Sequence, residues 1–344
     1  MVKKFDVVIG NPPYQKESAG GNARKPPIYH LFMDAAYEVA HKAVLITPSR
    51  FLFNAGQTPK EWNRKMLSDP RLRVAHYVAD GNEVFPDASV KGGVAVTVWD
   101  ENRTGPAIGL FTPEEKLAEI LAKVKVKGER SLKSEVSSTS SYRYTQKLHD
   151  DHPEISKILS SNAQFKVNTN AFDQLNFLFY DVPPEDGYEY VQVHGLIRNV
   201  RHVKYFRKDY ISEPRDFSKW KVALPSASKA GVFGETLSSP MILGPRIAVT
   251  QSLITIGAFD SESEVNAAFK YIKTKFLRTM LFILKTTQHN PPSVWEHVPV
   301  QNFSQKSEID WSESVAEIDQ QLYRKYGLND EEIAFIEDRV QPMI

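Results

Sequence analysis

Read for hydrophobic and polar positions, the chain opens with a pattern that repeats for a hundred residues. FDVVIGNPPY, residues 5–14, carries an apolar run, Val7-Val8-Ile9, stopped by Gly10 and turned by two prolines. A Val/Ile run closed by Gly and Pro predicts a buried strand with an abrupt carboxyl end. IYHLFMDAAYEVA then predicts a helix with apolar positions at Ile28, Leu31, Phe32, Ala35 and Val39. KAVLITPSRFLF predicts a second strand and EWNRKMLSD a second helix, while RVAHYVAD and GGVAVTVWDEN read as strands able to pair as an antiparallel edge. Strands alternating with helices in this way predict an α/β sheet.

The texture changes after Asn102-Arg103-Thr104-Gly105-Pro106, where a polar helix near residues 113–127 is followed by the Ser/Thr-rich stretch SEVSSTSSYRYT, and a domain boundary is expected there. From Pro153 to about Asp260, short apolar segments separated by Gly, Pro and Ser predict a mixed, strand-rich region. AAFKYIKTKFLRTMLFILK is apolar on most faces and predicts one core helix, with Ser261 or Asp260 capping the turn before it. DWSESVAEIDQQLYRKYG and NDEEIAFIEDRV predict two amphipathic helices, the first ended by Gly327 and the second capped by Asn329.

Composition adds exclusions. The 344 residues, 41% hydrophobic and 11% aromatic, suffice for two cored domains, and a formal charge of +1 gives no global basic field. The absence of cysteine excludes disulfides and thiolate chemistry and fits a cytoplasmic protein. No apolar stretch approaches the ~20 residues of a membrane span, and the start lacks the apolar core of a signal peptide.

The candidate chemistry lies at the end of the first strand, because in open α/β sheets ligands bind outside the carboxyl ends of strands. An aromatic exocyclic amine is a poor nucleophile, its lone pair being delocalised into the ring. Two hydrogen-bond acceptors holding its protons would make the nitrogen more tetrahedral and aim the lone pair at an electrophile. Asn11 supplies an uncharged amide oxygen, and the Pro12 carbonyl a second acceptor whose backbone Pro12 and Pro13 fix. Tyr14 offers a face for stacking a base, worth ~1–3 kcal/mol. No general base is needed, since the proton leaves after transfer makes the nitrogen cationic. The bland alternative is a proline turn closing a strand; the strand context favours a site.

This stretch resembles the catalytic motif of the γ-class DNA adenine-N6 methyltransferases, which use S-adenosyl-L-methionine, and in particular type IIG restriction–modification methylases. Ile28 to Phe32 opening a helix, Val44 to Ser49 ending a strand, and Glu83-Val84-Phe85-Pro86 before Val94 to Val98 are similar to the segments that follow the motif, and the carboxyl-terminal KTTQHNPPSVWEHVPVQNF onward is similar to the end of those enzymes. The resemblance implies that Phe85 stacks on the flipped adenine opposite Tyr14, and that Asn11 and Phe32 help bind the cofactor. It also implies double-stranded DNA as partner.

The family's glycine-rich cofactor loop and ribose-binding acid precede the motif, yet only ten residues precede Asn11, and Gly92-Gly93, GVFGE and GPRIAV do not both follow a strand and open a helix. A separate chain or segment is therefore expected to supply the cofactor-binding half. The expected fold is α/β: a partial Rossmann-like methyltransferase sheet (1–110), a mixed α+β target-recognition region (111–305) and a helical carboxyl-terminal tail (306–344). The rival functions are a catalytically silent DNA-specificity module and methylation of a protein glutamine or RNA.

For DNA contact the candidates are Arg198, Arg201, Lys204, Arg207 and Lys208 in HGLIRNVRHVKYFRKDY, where a helix would bring Arg198, Arg201 and Lys204 to one face, and Lys229 in SASKAGVFGE. Solvated basic surface and a plain loop are the alternatives. The loop after Tyr14 is basic at Arg24 and Lys25, and its two readings are closure over DNA and plain mobility. His149, Asp150, Asp151 and His152 read as helix-start residues rather than metal ligands, and Asp87 with Lys91 lacks the second carboxylate of a nuclease.

Overall fold

The computed structural model describes residues 3–16, 26–86, 90, 92–112, 114–229, 231–285 and 287–343; Arg24, Lys25, Asp87 and Lys91 lie outside them. The chain divides into two compact units, Met1–Glu115 and Lys116–Ile344. It is a mixed α/β protein. Among the described residues no helix is long and apolar enough to cross a membrane.

The first unit is a four-stranded sheet. β1 (Phe5–Gly10), β2 (Ala40–Pro48), β3 (Leu72–Val78) and β4 (Val94–Asp100) lie in the order β1-β2-β4-β3, joined by α1 (Tyr29–Val39) and α2 (Lys60–Ser68). β1 and β2 are parallel, and β4 runs antiparallel to both β2 and β3, so β1, β2 and β3 share one direction. The expected antiparallel pair forms, but β4 is inside the sheet and β3 is the edge.

Two expectations are corrected. β1 is an edge strand, not a buried one: no described strand pairs with its outer side, and Phe5, Val7 and Ile9, 56%, 46% and 79% exposed, alternate onto the face opposite Val8, which alone of the apolar run packs on the core. The helix α1 buries Tyr29, Met33, Ala36 and Tyr37 rather than the face read from the sequence, and leaves Leu31 and Phe32 58% and 44% exposed. Those buried positions recur at i, i+4, i+7 and i+8, a complete helical stripe, and Tyr37 stacks on Trp99 of β4 at 4.9 Å. With apolar residues on two faces, the helix gave period alone no means of choosing.

The second unit begins with α3 (Glu115–Val126) and three short helices, α4 (Gln146–Asp151), α5 (Ile155–Ile158) and α6 (Ala171–Gln174). Two three-stranded sheets follow. One has the order β6-β5-β9, from β5 (Tyr190–Ile197), β6 (Val200–Arg207) and β9 (Ile247–Val249); the other is β10-β7-β8, from β7 (Trp220–Pro225), β8 (Met241–Leu243) and β10 (Leu253–Phe259). β5 and β6 form an antiparallel hairpin, with Arg198 and Asn199 at its turn in positive φ. The basic segment is thus a strand, not a helix. Alternation sends Arg201 and Lys204 to opposite faces of it.

The single core helix expected near residue 275 is two, α7 (Glu262–Lys273) and α8 (Lys275–Phe282). Thr274, extended at φ −62° and ψ 148°, breaks them and caps the second through its hydroxyl. Ser261 caps α7 with a full capping box, and α9 (Val315–Tyr326) ends on Gly327 at φ 64° before Asn329 caps α10 (Asp330–Arg339). These tail helices belong to the same compact unit as the two sheets.

Candidate active site

β1, β2 and β3 point the same way, so their carboxyl ends and the start of β4 gather along one edge of the sheet. Val78, Val94 and Pro48 are neighbours across it. Asn11 to Tyr14 leave β1 at this edge. The Tyr14 carbonyl accepts the Ile28 N–H at 3.1 Å and Lys16 N–H donates to the Pro26 carbonyl at 3.1 Å, so the chain returns to α1 through a short pinned ladder. Asn11 is exposed, and neither its side-chain amide nor the Pro12 carbonyl has a hydrogen-bond partner among the described residues. Among the described residues both acceptors are therefore open.

Tyr14 is half-buried in the core of the unit, and its hydroxyl is buried without a partner among the described residues. Burial pushes its pKa up to about 12, so the phenol is neutral at ordinary pH and acts as a ring, not as a base. Phe85 meets it edge to face, with centroids 6.3 Å apart and planes at 75°. The Phe85 N–H donates to the Gly81 carbonyl at 2.9 Å, and Asp80 caps that turn by accepting the Asn82 N–H. A Cβ on Gly81 would stand 2.7 Å from Val90, so the turn tolerates only glycine. Behind the edge, Ser49 Oγ–H donates to the Gly92 carbonyl at 2.5 Å.

The sequence reading brought Asn11, Pro12, Pro13, Tyr14 and Phe85 to one place, and the structure has Tyr14 and Phe85 in ring contact. It missed His30 and Thr47, whose Nδ1 and Oγ1 are also buried without partners among the described residues. Burial lowers the His30 pKa, leaving a neutral imidazole edge-on to Trp62 at 5.5 Å. Both follow apolar segments by ordinary sequence rules, and only the tertiary structure reveals their missing partners.

The basic candidates divide. Lys204 pairs with Asp181, Lys208 with Glu189 and Glu213, and Arg207 with Asp209 while its guanidinium lies 3.4 Å from the centre of the Tyr188 ring. Arg201 donates to the Ser239 carbonyl at 3.1 Å, Lys229 to the Thr236 hydroxyl, and exposed Arg198 has no ion pair among the described residues. The loop of Lys229 is anchored by Glu235, whose carboxylate accepts the Gly231 and Val232 N–H groups. Among the described residues no cluster of three His, Cys, Asp or Glu could hold a metal. Asp151 instead accepts from Tyr210 and pairs with Lys147.

A strand end that presents two amide-type acceptors beside an aromatic pair suits chemistry on a planar amine, and residues 1–85 are similar to a known family, matching that of Eco57I restriction-modification methylases. An "uncharacterized adenine-specific methylase" of Mycoplasma pneumoniae is 29% identical over 111 residues, 31% of this chain and 26% of that protein. The chain thus spans about a quarter of the curated relative it matches. Among solved structures it is similar to the type IIL restriction-modification enzyme MmeI in complex with DNA, at 10% identity and a TM-score of 0.42, covering 97% of this chain and 56% of that one. It is also similar to the type IIG restriction endonuclease BpuSI, at 9% identity and a TM-score of 0.34, covering 97% and 53%.

Proposed function

We propose that this chain supplies the target-base half of a DNA adenine-N6 methyltransferase of a restriction–modification system. The observation that carries the reading is the pair of open acceptors, Asn11 amide oxygen and Pro12 carbonyl, beside the Tyr14–Phe85 rings. In this reading an adenine is flipped out of double-stranded DNA and its ring stacks against Tyr14 and Phe85. Asn11 and Pro12 each accept one amino proton, and the nitrogen's lone pair is freed as charge develops on it. Both acceptors are strongest toward the cationic nitrogen of the transition state, which is where catalytic binding energy acts.

S-adenosylmethionine supplies the electrophilic methyl group when bound. In this reading Asn11 and exposed Phe32 would form one wall of a site for it, and no described strand-to-helix turn carries a Gly-x-Gly cradle. The four-stranded order supports a partial Rossmann-like sheet awaiting its other half. So do the exposed apolar residues Phe5, Val7 and Ile9 on one face of β1 and, separately, Leu31 and Phe32 on α1, positions suited to cover by elements of a cofactor-binding segment. The second unit would read the DNA sequence.

The test is single-turnover methylation of plasmid DNA by this chain joined to a cofactor-binding segment. Asn11→Ala should lower the chemical rate about 100-fold, roughly 2.7 kcal/mol, with DNA affinity retained. Full activity in Asn11→Ala would reject the assignment of Asn11. A wild-type protein that binds DNA and methylates nothing would make the chain a silent specificity module.

A further inference from the structure

The second unit contains a cavity of about 500 Å³ that no part of the proposed methyl transfer uses. Its origin is strand alternation. In the β5–β6 hairpin His194 is opposite Val203 and Leu196 opposite Arg201, so these four share one face, while Val191, Val193 and Phe206 turn the other way into the core. Gly195 lets the hairpin settle tightly on that core: a Cβ there would come within 2.7 Å of Thr250 and 2.8 Å of Phe172. The opposite wall comes from the ends of the other sheet, at Ser226, Met241 and Leu253.

The lining is apolar with a few polar groups, the usual make-up of a small-molecule site at this volume. Arg201 brings a positive charge to the lining beside the His194 and His202 rings, and among the described residues no carboxylate lines it. The His194 ring has no hydrogen-bond partner among the described residues, and burial, then Arg201 and Lys221, lower its pKa, which keeps it a neutral donor and acceptor. Among the described residues Ser226 lends only its backbone to neighbours, donating to the Ser252 carbonyl and accepting from Asn290, which leaves its hydroxyl available. Arg198, at the hairpin turn next to this face, is exposed.

We propose that this cavity binds a nucleotide, with the base between the two sheets against His194, Leu196 and Val203 and the phosphate at Arg201. A flat heterocycle with acceptors on its edge suits an apolar slot with imidazole and hydroxyl groups, and a phosphate suits a guanidinium with no acid beside it. The same chemistry is offered by a free mononucleotide and by a base turned out of a DNA strand. The site is separate from Asn11 and the inference does not depend on methyl transfer. Every test below reads binding alone.

The wild-type chain is titrated with dAMP, dGMP, dCMP and dTMP while the His194 ring resonances are followed by NMR. A saturable shift with a dissociation constant on the order of 1 mM or tighter, different among bases, is expected. An equal response to inorganic phosphate alone, or no response to any nucleotide, would overturn the proposal. So would saturable binding of a medium-chain fatty acid in place of nucleotides. Ala227, exposed on the cavity lining, permits Ala227→Trp to fill the space without touching a charge. At least tenfold weaker nucleotide binding is expected of it, and unchanged binding in a folded Ala227→Trp protein would refute the site. A single-stranded oligonucleotide with one 2-aminopurine then separates the sources. A fluorescence change abolished by excess mononucleotide supports the strand-borne base, and mononucleotide binding with no oligonucleotide signal supports the free nucleotide.

Discussion

Tyr14→Phe is the most economical test of how the candidate site is built. The Tyr14 hydroxyl is buried and makes no hydrogen bond among the described residues, although its ring packs in the core of the first unit. Burying a hydroxyl with no partner costs ~1–3 kcal/mol by protein mutational data, and deleting it leaves no partner stranded. The substitution should therefore stabilise the first unit by about 1 kcal/mol, or roughly 4 °C in its thermal transition. Differential scanning calorimetry of the whole chain, with hydrogen exchange at β1 and β2 to assign the transition, measures this. The effect should depend on pH. The folded pKa, about 12, is above the ordinary tyrosine value of 10, so the protonated phenol contributes stability relative to its ionised form. That contribution is full below pH 10 and is lost as pH rises through 12, so the advantage of Tyr14→Phe should widen as pH rises above 10. A loss of 1 kcal/mol or more at pH 7, or a gap that narrows with pH, would refute the reasoning and mean that the hydroxyl has a partner in solution. Because Phe keeps the ring, base stacking should survive, and a hydroxyl that destabilises the fold fits a site where stability has yielded to function.

The basic residues predict two different outcomes. Neutralising Arg198, Arg201 and Lys229 together should flatten the salt dependence of duplex binding by up to ~0.9 per lost phosphate contact, whereas neutralising Lys204, Arg207 and Lys208 should mainly lower the melting temperature, since each pairs with a carboxylate within the unit; salt titrations beside calorimetry check both. Ile9→Lys, at a side chain 79% exposed, should leave the chain folded but weaken its assembly with a cofactor-binding segment about tenfold or more, read as the dissociation constant by titration calorimetry. An unchanged constant would take β1 out of that interface.

What could be read in the sequence was what local chemistry decides. The β1 strand, its proline turn and the caps at Ser261, Gly327 and Asn329 each depend on a few adjacent residues. What escaped depends on neighbours far away in the chain. The buried face of α1 is chosen by Trp99 and the sheet, and a helix apolar on two sides gives the period no preference. The β5–β6 hairpin was open to a helical reading because basic residues every third position fit a helix as well. The contrary signal was present, for YVQVHGLI and VRHVKYF alternate on either side of Arg198-Asn199, a two-residue turn with positive φ at both positions. The cavity beside that hairpin is assembled from segments up to 84 residues apart, Thr169 to Leu253, and nothing local announces it.

The aromatic pair carries the last prediction. To hold a base on both faces, two rings must be nearly parallel and about 7 Å apart, two contacts of ~3.5 Å each. Tyr14 and Phe85 already have centroids 6.3 Å apart, but at 75° the edge of one ring fills the gap. The backbone of the Phe85 turn is held by the Phe85–Gly81 hydrogen bond, the Asp80 cap and the close approach of Gly81 to Val90. Entry of the base must therefore come mainly from rotation of the Phe85 ring, a side-chain motion with broad terminal torsion, not from movement of the strand. Phe85→Ala should then bind DNA as before yet lose one stacking contact, ~1–3 kcal/mol, and fall five- to about 150-fold in kcat/KM for adenine methylation in the assembled enzyme. Phe85→Trp keeps a ring that can turn and should recover most of that loss. Equal activity of Phe85→Ala and wild type would remove Phe85 from the base pocket. Failure of Trp to rescue, with the fold intact, would show that the turn rather than the ring is what the site requires.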